Sequence, residues 1–211
     1  SKLKKENTQP KQETPKTEEA KPQPDSILCS LSGNPEPSQN TILINELAWM
    51  GGPDSSNDEW IELKNISSSP IVLAGWQLVN QSQQIKIVFP KTTVLAPGGF
   101  LLLERTNDES VSNISADLIY TGAITNFQET IYLFAPDCQL QDKAQANPYW
   151  PAGDNSQKKT MERKANLAWQ TSANIGGTPK TNNSAGEIQL AGNFGESSGN
   201  TNKNNENTQT N

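Results

Sequence analysis

One stretch of the chain, Asp58–Asn65, constrains the fold more than any other. Its side chains alternate between two faces of an extended segment. The mixed face carries Trp60, Glu62 and Lys64, and the apolar face carries Ile61 and Leu63. This period of two predicts a β-strand with one apolar face. The large aromatic on the mixed face indicates that the strand is covered on both sides near its start.

Further short apolar or alternating runs lie on both sides of this strand, with turn-forming residues between them. The predicted strands are 41–50, 58–65, 70–73, 76–79, 85–89, 100–104, 118–120, 130–134, 138–142 and 159–163. Residues 144–156 are expected to be irregular, and Trp169 to be an isolated aromatic anchor. No segment has a convincing helical period. The connections are too short for parallel crossovers, so the sequence predicts an all-β, antiparallel β-sandwich.

The composition divides the chain into three parts. All five Trp and all three Tyr lie between residues 49 and 169. Residues 1–40 form a low-complexity spacer with a short apolar patch at 27–31, and residues 184–211 form an Asn/Ser/Gly-rich tail. Both tails are expected to be disordered, because such compositions bury too little apolar area to offset ordering. The sandwich is expected over residues 41–183. The sequence starts at Ser1 rather than Met, so a removed signal peptide or anchor is expected upstream.

The charge and the residue types argue against several function classes. The net charge is −6 and no region is strongly basic, so nucleic acid is an unlikely partner. The chain has no histidine and only two cysteines, which excludes a Ser-His-Asp triad and a Cys- or His-based zinc site within it. It has no P-loop motif and no apolar run long enough to span a membrane. We therefore expect no enzyme, no catalytic residue and no cofactor.

One acidic loop allows an alternative. Residues 54–59 offer several hard oxygen ligands beside a Gly-Gly-Pro sequence, a composition compatible with Ca²⁺. The loop lacks the spacing of an EF-hand. A solvated acidic loop and a calcium site both remain open at this point, with the solvated loop favoured.

Several motifs, taken in order, resemble the lamin tail domain. That family is an immunoglobulin-like sandwich of nuclear lamins and of bacterial secreted and surface proteins. The resemblance extends over about residues 41–183, and Lys180 replaces the glycine of the family's closing Thr-Pro-Gly motif. The matching positions are Asn45, Glu46, Trp60, Glu62, Asn65, Gly75, Trp76, Trp169 and Pro179.

The residues of these motifs read most simply as structural. Gly75 before Trp76 suits a tight turn that directs the indole into the core. Four polar positions are expected to be strand-end groups that bond to loop amides, with a binding role as the alternative. They are Asn45, Glu46, Glu62 and Asn65.

The two cysteines are predicted to form a disulfide. Cys29 lies in the apolar patch, and Cys138 lies at the turn of a late hairpin. A bond between them would pin the patch to the sandwich and requires Cα atoms about 4.4–6.8 Å apart. Two unrelated thiols in a reducing compartment are the alternative. The spacer-like tails and the resemblance to surface proteins favour an oxidising compartment.

The resemblance implies a non-catalytic module that is secreted or displayed at a bacterial cell surface. Its expected partner is a protein, a glycan or another component of the cell envelope, and the oligomeric state is left open. A second hypothesis is an accessory domain cut from a larger surface hydrolase or nuclease. A third is a structural spacer without a ligand.

Overall fold

The computed structural model of the chain describes residues 28–30, 35–38 and 41–184. Most of the predicted spacer and almost all of the predicted C-terminal tail lie outside these residues. No helix in the described part is long and apolar enough to cross a membrane. The strands there are β1 (Ile42–Leu47), β2 (Trp60–Asn65), β3 (Ile71–Val72), β4 (Gln77–Asn80), β5 (Lys86–Val88), β6 (Val94–Leu95), β7 (Phe100–Arg105), β8 (Leu118–Tyr120), β9 (Thr130–Phe134), β10 (Leu140–Gln145), β11 (Lys159–Arg163) and β12 (Trp169–Ile175).

The strands form a sandwich of two main sheets. The six-stranded sheet has the order β12-β11-β1-β2-β7-β8, and the four-stranded sheet has the order β10-β9-β4-β5. A small third sheet pairs β3 with β6. The largest buried cluster takes side chains from both main sheets, including Ile44 and Leu63 from one and Leu78 and Leu133 from the other. The apolar faces therefore pack against each other, and the predicted immunoglobulin-like β-sandwich is confirmed.

Strand β2 has the alternation that the sequence predicts. Ile61 and Leu63 lie in the core between the sheets. Trp60 lies in a separate buried cluster with Ala48 and Leu102. The strand is therefore covered on both faces, as its large aromatic indicated.

Strand β1 departs from simple alternation. Its pairing with β2 shifts register between Ile44 and Glu46, which marks a β-bulge. Ile44 and Leu47 both reach the core although they are three positions apart. The bulge inserts one residue between them, so the polar pair Asn45 and Glu46 can contact groups outside the apolar core.

One strand pair contradicts the expectation that all pairing is antiparallel. Strands β7 and β8 run parallel, with Leu103 opposite Leu118. The segment 106–117 joins them and provides about a dozen residues, the length that a parallel return requires. The sequence predicts a polar loop for this segment, and the prediction overlooked that the loop is long enough for a parallel connection. Strand β8 forms the edge of its sheet, as expected.

Two further predictions of local structure are wrong. Trp169 is not an isolated anchor, because it begins the seven-residue strand β12. Strand β10 runs to Gln145, into the stretch that was expected to be irregular. The β12 sequence lacks a strong apolar alternation because most of its side chains face solvent. Its structure comes from the ladder with β11, which local sequence does not reveal.

Gly75 and Trp76 take the predicted roles. Gly75 has a φ of +76°, a left-handed conformation that glycine adopts without strain. Trp76 follows it directly into the main core. Burying this indole contributes several kcal/mol to the stability of the sandwich.

The structure contains the Cys29–Cys138 disulfide, with the Cα atoms 5.3 Å apart. The Cys29 amide also donates a 2.8 Å hydrogen bond to Gln77 Oε1. Cys29 packs beside Phe134 and Leu140, so residues 28–30 lie against the four-stranded sheet. The bond joins positions 109 residues apart. The chain-entropy relation gives about 4–5 kcal/mol for closing a loop of that length.

Candidate functional site

Three glutamates form a row across the middle of the six-stranded sheet. Glu46 on β1 lies opposite Glu62 on β2 and opposite Glu162 on β11. All three side chains are fully buried. Like charges placed directly opposite each other destabilise a sheet, so this glutamate row needs compensating hydrogen bonds.

Residues 177–184, here called the closing segment, supply those hydrogen bonds. The Thr178 amide donates to Glu46 Oε1 at 3.0 Å, and the Thr178 hydroxyl donates to Glu46 Oε2 at 2.8 Å. The Lys180 amide donates to Glu62 Oε2 at 2.5 Å. The Ser184 amide donates to Glu162 Oε1 at 3.0 Å. The chain therefore covers its own acidic row with loop amides.

Gly177 lets the closing segment approach this closely. Its φ is +80°, and a Cβ added there would lie 2.2 Å from Glu46 Oε1. Thr160 Oγ1 would lie 2.5 Å from the same Cβ. Any side chain at this position would therefore displace the segment from the glutamate row.

Burial dominates the electrostatics of the row. Desolvation raises the pKa of Glu46 to about 7, although the hydrogen bonds from Thr160 and Thr178 act in the opposite direction. Desolvation, together with the nearby Glu46 carboxylate, raises the pKa of Glu62 to about 8. Near neutral pH these two carboxyls therefore exchange between protonated and charged forms.

Three residues of the predicted set, Glu46, Glu62 and Asn65, accept hydrogen bonds from loop amides, and Asn65 also ends its strand. Asn65 ends β2, and its Oδ1 accepts a hydrogen bond from the Ser67 amide at 2.9 Å. Glu62 instead lies in the middle of β2. Asn45 Nδ2 donates to Glu62 Oε1 at 2.8 Å and to Asn183 Oδ1 at 2.9 Å, so it bonds side chains rather than loop amides. Alternation predicts the face of these residues, but it does not reveal the segment that buries them.

Trp169 and Pro179 complete the predicted set. The guanidinium of Arg163 lies 3.8 Å from the centroid of the Trp169 ring, a cation–π contact. Pro179 is half-buried in the closing segment. The Lys180 side chain, in place of the family's glycine, forms a 3.0 Å ion pair with Asp117. The Lys180 side chain thus connects the closing segment to the residue that directly precedes strand β8.

Sequence reasoning missed a buried ion pair between the sheets. Arg163 on β11 donates from Nη2 to both carboxylate oxygens of Asp142 on β10, each at 2.8 Å. The same carboxylate accepts the Ile44 amide at 2.9 Å. Burial lowers the pKa of Arg163, and the Asp142 carboxylate opposes that change. No local pattern marks these residues, because their partners are distant in sequence.

The carboxylates of the acidic loop 54–59 lie in different environments, with Asp54 exposed and Glu59 buried. Glu59 turns inward, where its Oε2 accepts from Arg105 Nη1 at 3.1 Å and from the Ile124 amide at 2.9 Å. Within residues 28–30, 35–38 and 41–184, no group of three or more acidic, Cys or His side chains is placed to hold a metal ion. Glu59, one of the ligands that the sequence offered for calcium, is therefore engaged within the protein.

A second region differs from the glutamate row in the side chains that it exposes to solvent. It consists of the three loops 80–85, 121–128 and 146–153, which lie at one end of the four-stranded sheet and are here called the amide end. A Cβ added to Gly122 would lie 2.1 Å from Gln84 O, so the first two loops are in direct contact. The Gln128 amide donates to Pro148 O at 2.7 Å, which joins the second loop to the third.

The amide end presents an exposed aromatic pair. Phe127 and Tyr149 have exposed fractions of 48% and 69%. Their ring centroids are 5.5 Å apart and their planes meet at 68°, an edge-to-face arrangement. The two residues also form an isolated β-bridge. The backbone therefore fixes the positions of both rings.

A buried carboxylate holds these loops together. Glu129 is almost fully buried and accepts hydrogen bonds from Asn80 Nδ2 at 3.0 Å and from Thr125 Oγ1 at 2.9 Å. It also accepts the amides of Gln81 and Thr130 at 3.1 and 2.9 Å. Two loops of the amide end are thus tied to one fixed group, which makes the surface rigid.

Sequence reasoning did not single out Phe127 or Tyr149. The signal that could have found them is compositional. The three loops contain no charged residue, although 19% of the chain is charged. Only the tertiary structure brings the loops together.

The comparisons with known proteins agree with the fold. A search of curated proteins finds no match. The family model of the Lamin Tail Domain matches residues 35–148, just over half of the chain. That range contains strand β2 with Trp60 and the Gly75-Trp76 turn, and it ends at Pro148, one residue before Tyr149. Strands β11 and β12 and the closing segment lie after it. This chain belongs to the lamin tail domain family.

Proposed function

We propose that the protein is a binding module that works outside the cytoplasm, secreted or at a bacterial cell surface, where it holds a component of the cell envelope. The lamin tail domain is a non-catalytic, immunoglobulin-like module. Such a sandwich offers a rigid body with loops at its ends, and loops carry the binding groups in folds of this kind.

The observation that carries the proposal is the exposed Phe127–Tyr149 pair. Large aromatics are normally buried, and two of them on a rigid loop surface mark an interaction site. Aromatic residues supply much of the contact energy in protein recognition, and Tyr does so at a low cost in side-chain entropy. The fixed backbone around the pair reduces that cost further.

The disulfide supports the extracellular location. Cys29 and Cys138 are bonded, and disulfides persist in oxidising compartments but are rare in the cytosol. Intact-mass analysis of the naturally produced protein, alkylated without reductant, tests this part. We expect no alkylated thiol, and two alkylated thiols would contradict an extracellular site of action.

Cosedimentation with cell-envelope preparations from the producing organism tests the binding role. We expect the purified chain to sediment with the envelope, and we expect a variant with Phe127→Ser and Tyr149→Ser to remain in solution. A variant with Val94→Ser is the matched control, since Val94 is 56% exposed and lies on the separate two-stranded sheet. Equal sedimentation of all three proteins would refute the role of this surface, and no sedimentation at all would refute the binding function.

A further inference from the structure

We propose that the amide end binds a neutral glycan, with Phe127 and Tyr149 as the stacking surface and the surrounding amides as hydrogen-bonding groups. This inference rests on the proposed binding function and names its ligand class. It follows from the charge, the side-chain chemistry and the rigidity of this surface.

The charge of the surface selects against ionic ligands. None of the residues in 80–85, 121–128 and 146–153 is charged, in a chain whose net charge is −6. Glu129, the carboxylate beneath them, is buried and accepts hydrogen bonds from within the protein. The loops themselves offer no cation to an anionic polymer and no exposed carboxylate to a cationic one, and the exposed Lys86 directly follows the first loop.

The exposed side chains match the chemistry of a sugar. A pyranose has an apolar face of C–H groups that can lie on an aromatic ring, and a rim of hydroxyls that both donate and accept. Primary amides also donate and accept, so they pair with hydroxyls in either orientation. Desolvating neutral amides costs less than desolvating charges. The exposed amides of the three loops are Gln81, Gln83, Gln84, Asn126, Gln128 and Asn147.

The surface is organised before any ligand arrives. The backbone N–H of Asn147 donates to the backbone O of Tyr149 at 3.0 Å. The Trp150 side chain donates from Nε1 to Thr125 O at 3.0 Å. Trp150 itself is buried in the main core, which anchors the loop that carries Tyr149. Rigid loops lose little conformational entropy on binding, which matters for a ligand that offers few contacts.

A protein partner fits the surface less well. Stable protein interfaces bury about 800 Å² on each side and have a rim of charged and polar groups. Here the three short loops carry one exposed aromatic pair and a set of neutral amides. We therefore assign the surface to a glycan and treat a protein ligand as an outcome of the test.

A glycan array probed with the full chain tests this inference. The array holds neutral glucans, mannans, galactans and chitin fragments, anionic glycans such as heparin and alginate, and purified polysaccharide from the producing organism. We expect binding to at least one neutral glycan that is unchanged between 50 and 500 mM salt, because no ion pair contributes. The substitutions Phe127→Ala and Tyr149→Ala should each weaken that binding at least about tenfold, a loss typical of one aromatic contact.

Two further variants separate the contribution of ring stacking to binding from that of hydrogen bonding. Tyr149→Phe keeps the ring and should retain most of the affinity, whereas Asn147→Ala keeps the aromatic pair and should weaken binding about three- to tenfold through loss of hydrogen bonds. Val94→Ser should bind as the unchanged protein does. Each variant is checked for its disulfide and its melting temperature before binding is measured.

Three outcomes would overturn the glycan assignment. They are no binding to any neutral glycan, binding only to anionic glycans with a steep salt dependence, and envelope binding that protease abolishes but glycan-degrading enzymes do not. In the third case the proposed binding function stands and only the ligand class is wrong. If the chain does not bind envelope preparations at all, the proposed function itself fails.

Discussion

The glutamate row and the amide end use polar residues in opposite ways. In the row, three carboxyls are fully buried and the closing segment donates to each of them. At the amide end the single carboxylate is buried beneath the surface, while two aromatic rings and several amides face solvent. The chain supplies the partners of the row itself, whereas the rings and several amides of the amide end face solvent.

The difference shows that residue type alone does not identify a functional site. Glu46, Glu62 and Asn45 match the family pattern, and the sequence favours a structural role for them with binding as the alternative. Their hydrogen-bonding capacity is used within the fold, so they stabilise the sandwich. Phe127 and Tyr149 read as core residues by type, yet they are exposed. The comparison predicts large stability effects in the row and small ones at the amide end.

The largest effect is expected for Glu46→Ala. The substitution removes the acceptor for the Thr178 amide, the Thr178 hydroxyl and the Thr160 hydroxyl. Leaving two or three buried donors unsatisfied should lower the free energy of unfolding by about 3–5 kcal/mol. Urea denaturation at pH 6 measures it. Glu109→Ala removes an exposed carboxylate and should change stability by less than about 0.5 kcal/mol. Equal effects of the two variants would show that the row is not a stabilising element.

The pH dependence of stability should come next in size. The pKa values of Glu46 and Glu62 in the folded state, about 7 and about 8, lie above the ordinary value of 4.5. Between these values the folded state binds more protons than the unfolded state, so stability decreases as pH rises from about 5 to about 8.5. Below about pH 4 these two groups are protonated in both the folded and the unfolded state, so they no longer make the free energy of unfolding depend on pH.

We expect Glu46 and Glu62 together to lower the free energy of unfolding by about 2–3 kcal/mol between pH 6 and pH 7, which calorimetry at several pH values would measure. Glu59 and Glu104, whose pKa values are each raised to about 7 by burial, act in the same direction. The variant Glu62→Gln removes one titrating group and should flatten the curve. A melting temperature that rises with pH over this range would contradict the assignment of the row as partly protonated.

A smaller effect is expected for Asn80→Ala, which loosens the amide end from beneath. Asn80 Oδ1 accepts the Ile85 amide at 2.8 Å, and its Nδ2 donates to Glu129. Loss of these two hydrogen bonds should lower the free energy of unfolding by about 2 kcal/mol. It should also weaken glycan binding, because the loops would no longer be fixed. Gln84→Ala, an exposed amide in the same turn, serves as the stability control. Full glycan affinity in a destabilised Asn80→Ala protein would separate loop anchoring from binding.

The smallest stability effect is expected where the binding effect is largest. Phe127→Ala and Tyr149→Ala should each change the free energy of unfolding by no more than about 1 kcal/mol, since both rings are exposed and gain only their edge-to-face contact. Thermal denaturation of each variant measures this. A loss of about 3 kcal/mol or more would mean that the pair is a structural element, and the contrast with the glutamate row would disappear.

The predicted strands and the buried tryptophan depend on information that is local in the sequence. The alternation in β2 determines which side chains face the core, because the side chains of a strand point to opposite faces in turn. The turn before Trp76 is visible for the same reason, since a left-handed position favours glycine. The disulfide could be predicted because the chain has only two cysteines, each next to an apolar segment.

The rest depended on tertiary structure. Strand β12 forms because β11 offers an unpaired edge, and nothing in its own exposed sequence requires it. The glutamate row is buried because the closing segment returns from more than a hundred residues beyond Glu46. The amide end forms because three neutral loops, distant in sequence, lie at the same end of the four-stranded sheet. Periodicity and residue type indicate which face of a segment is buried. Long-range packing decides which other segment covers that face, and a local pattern does not contain that information.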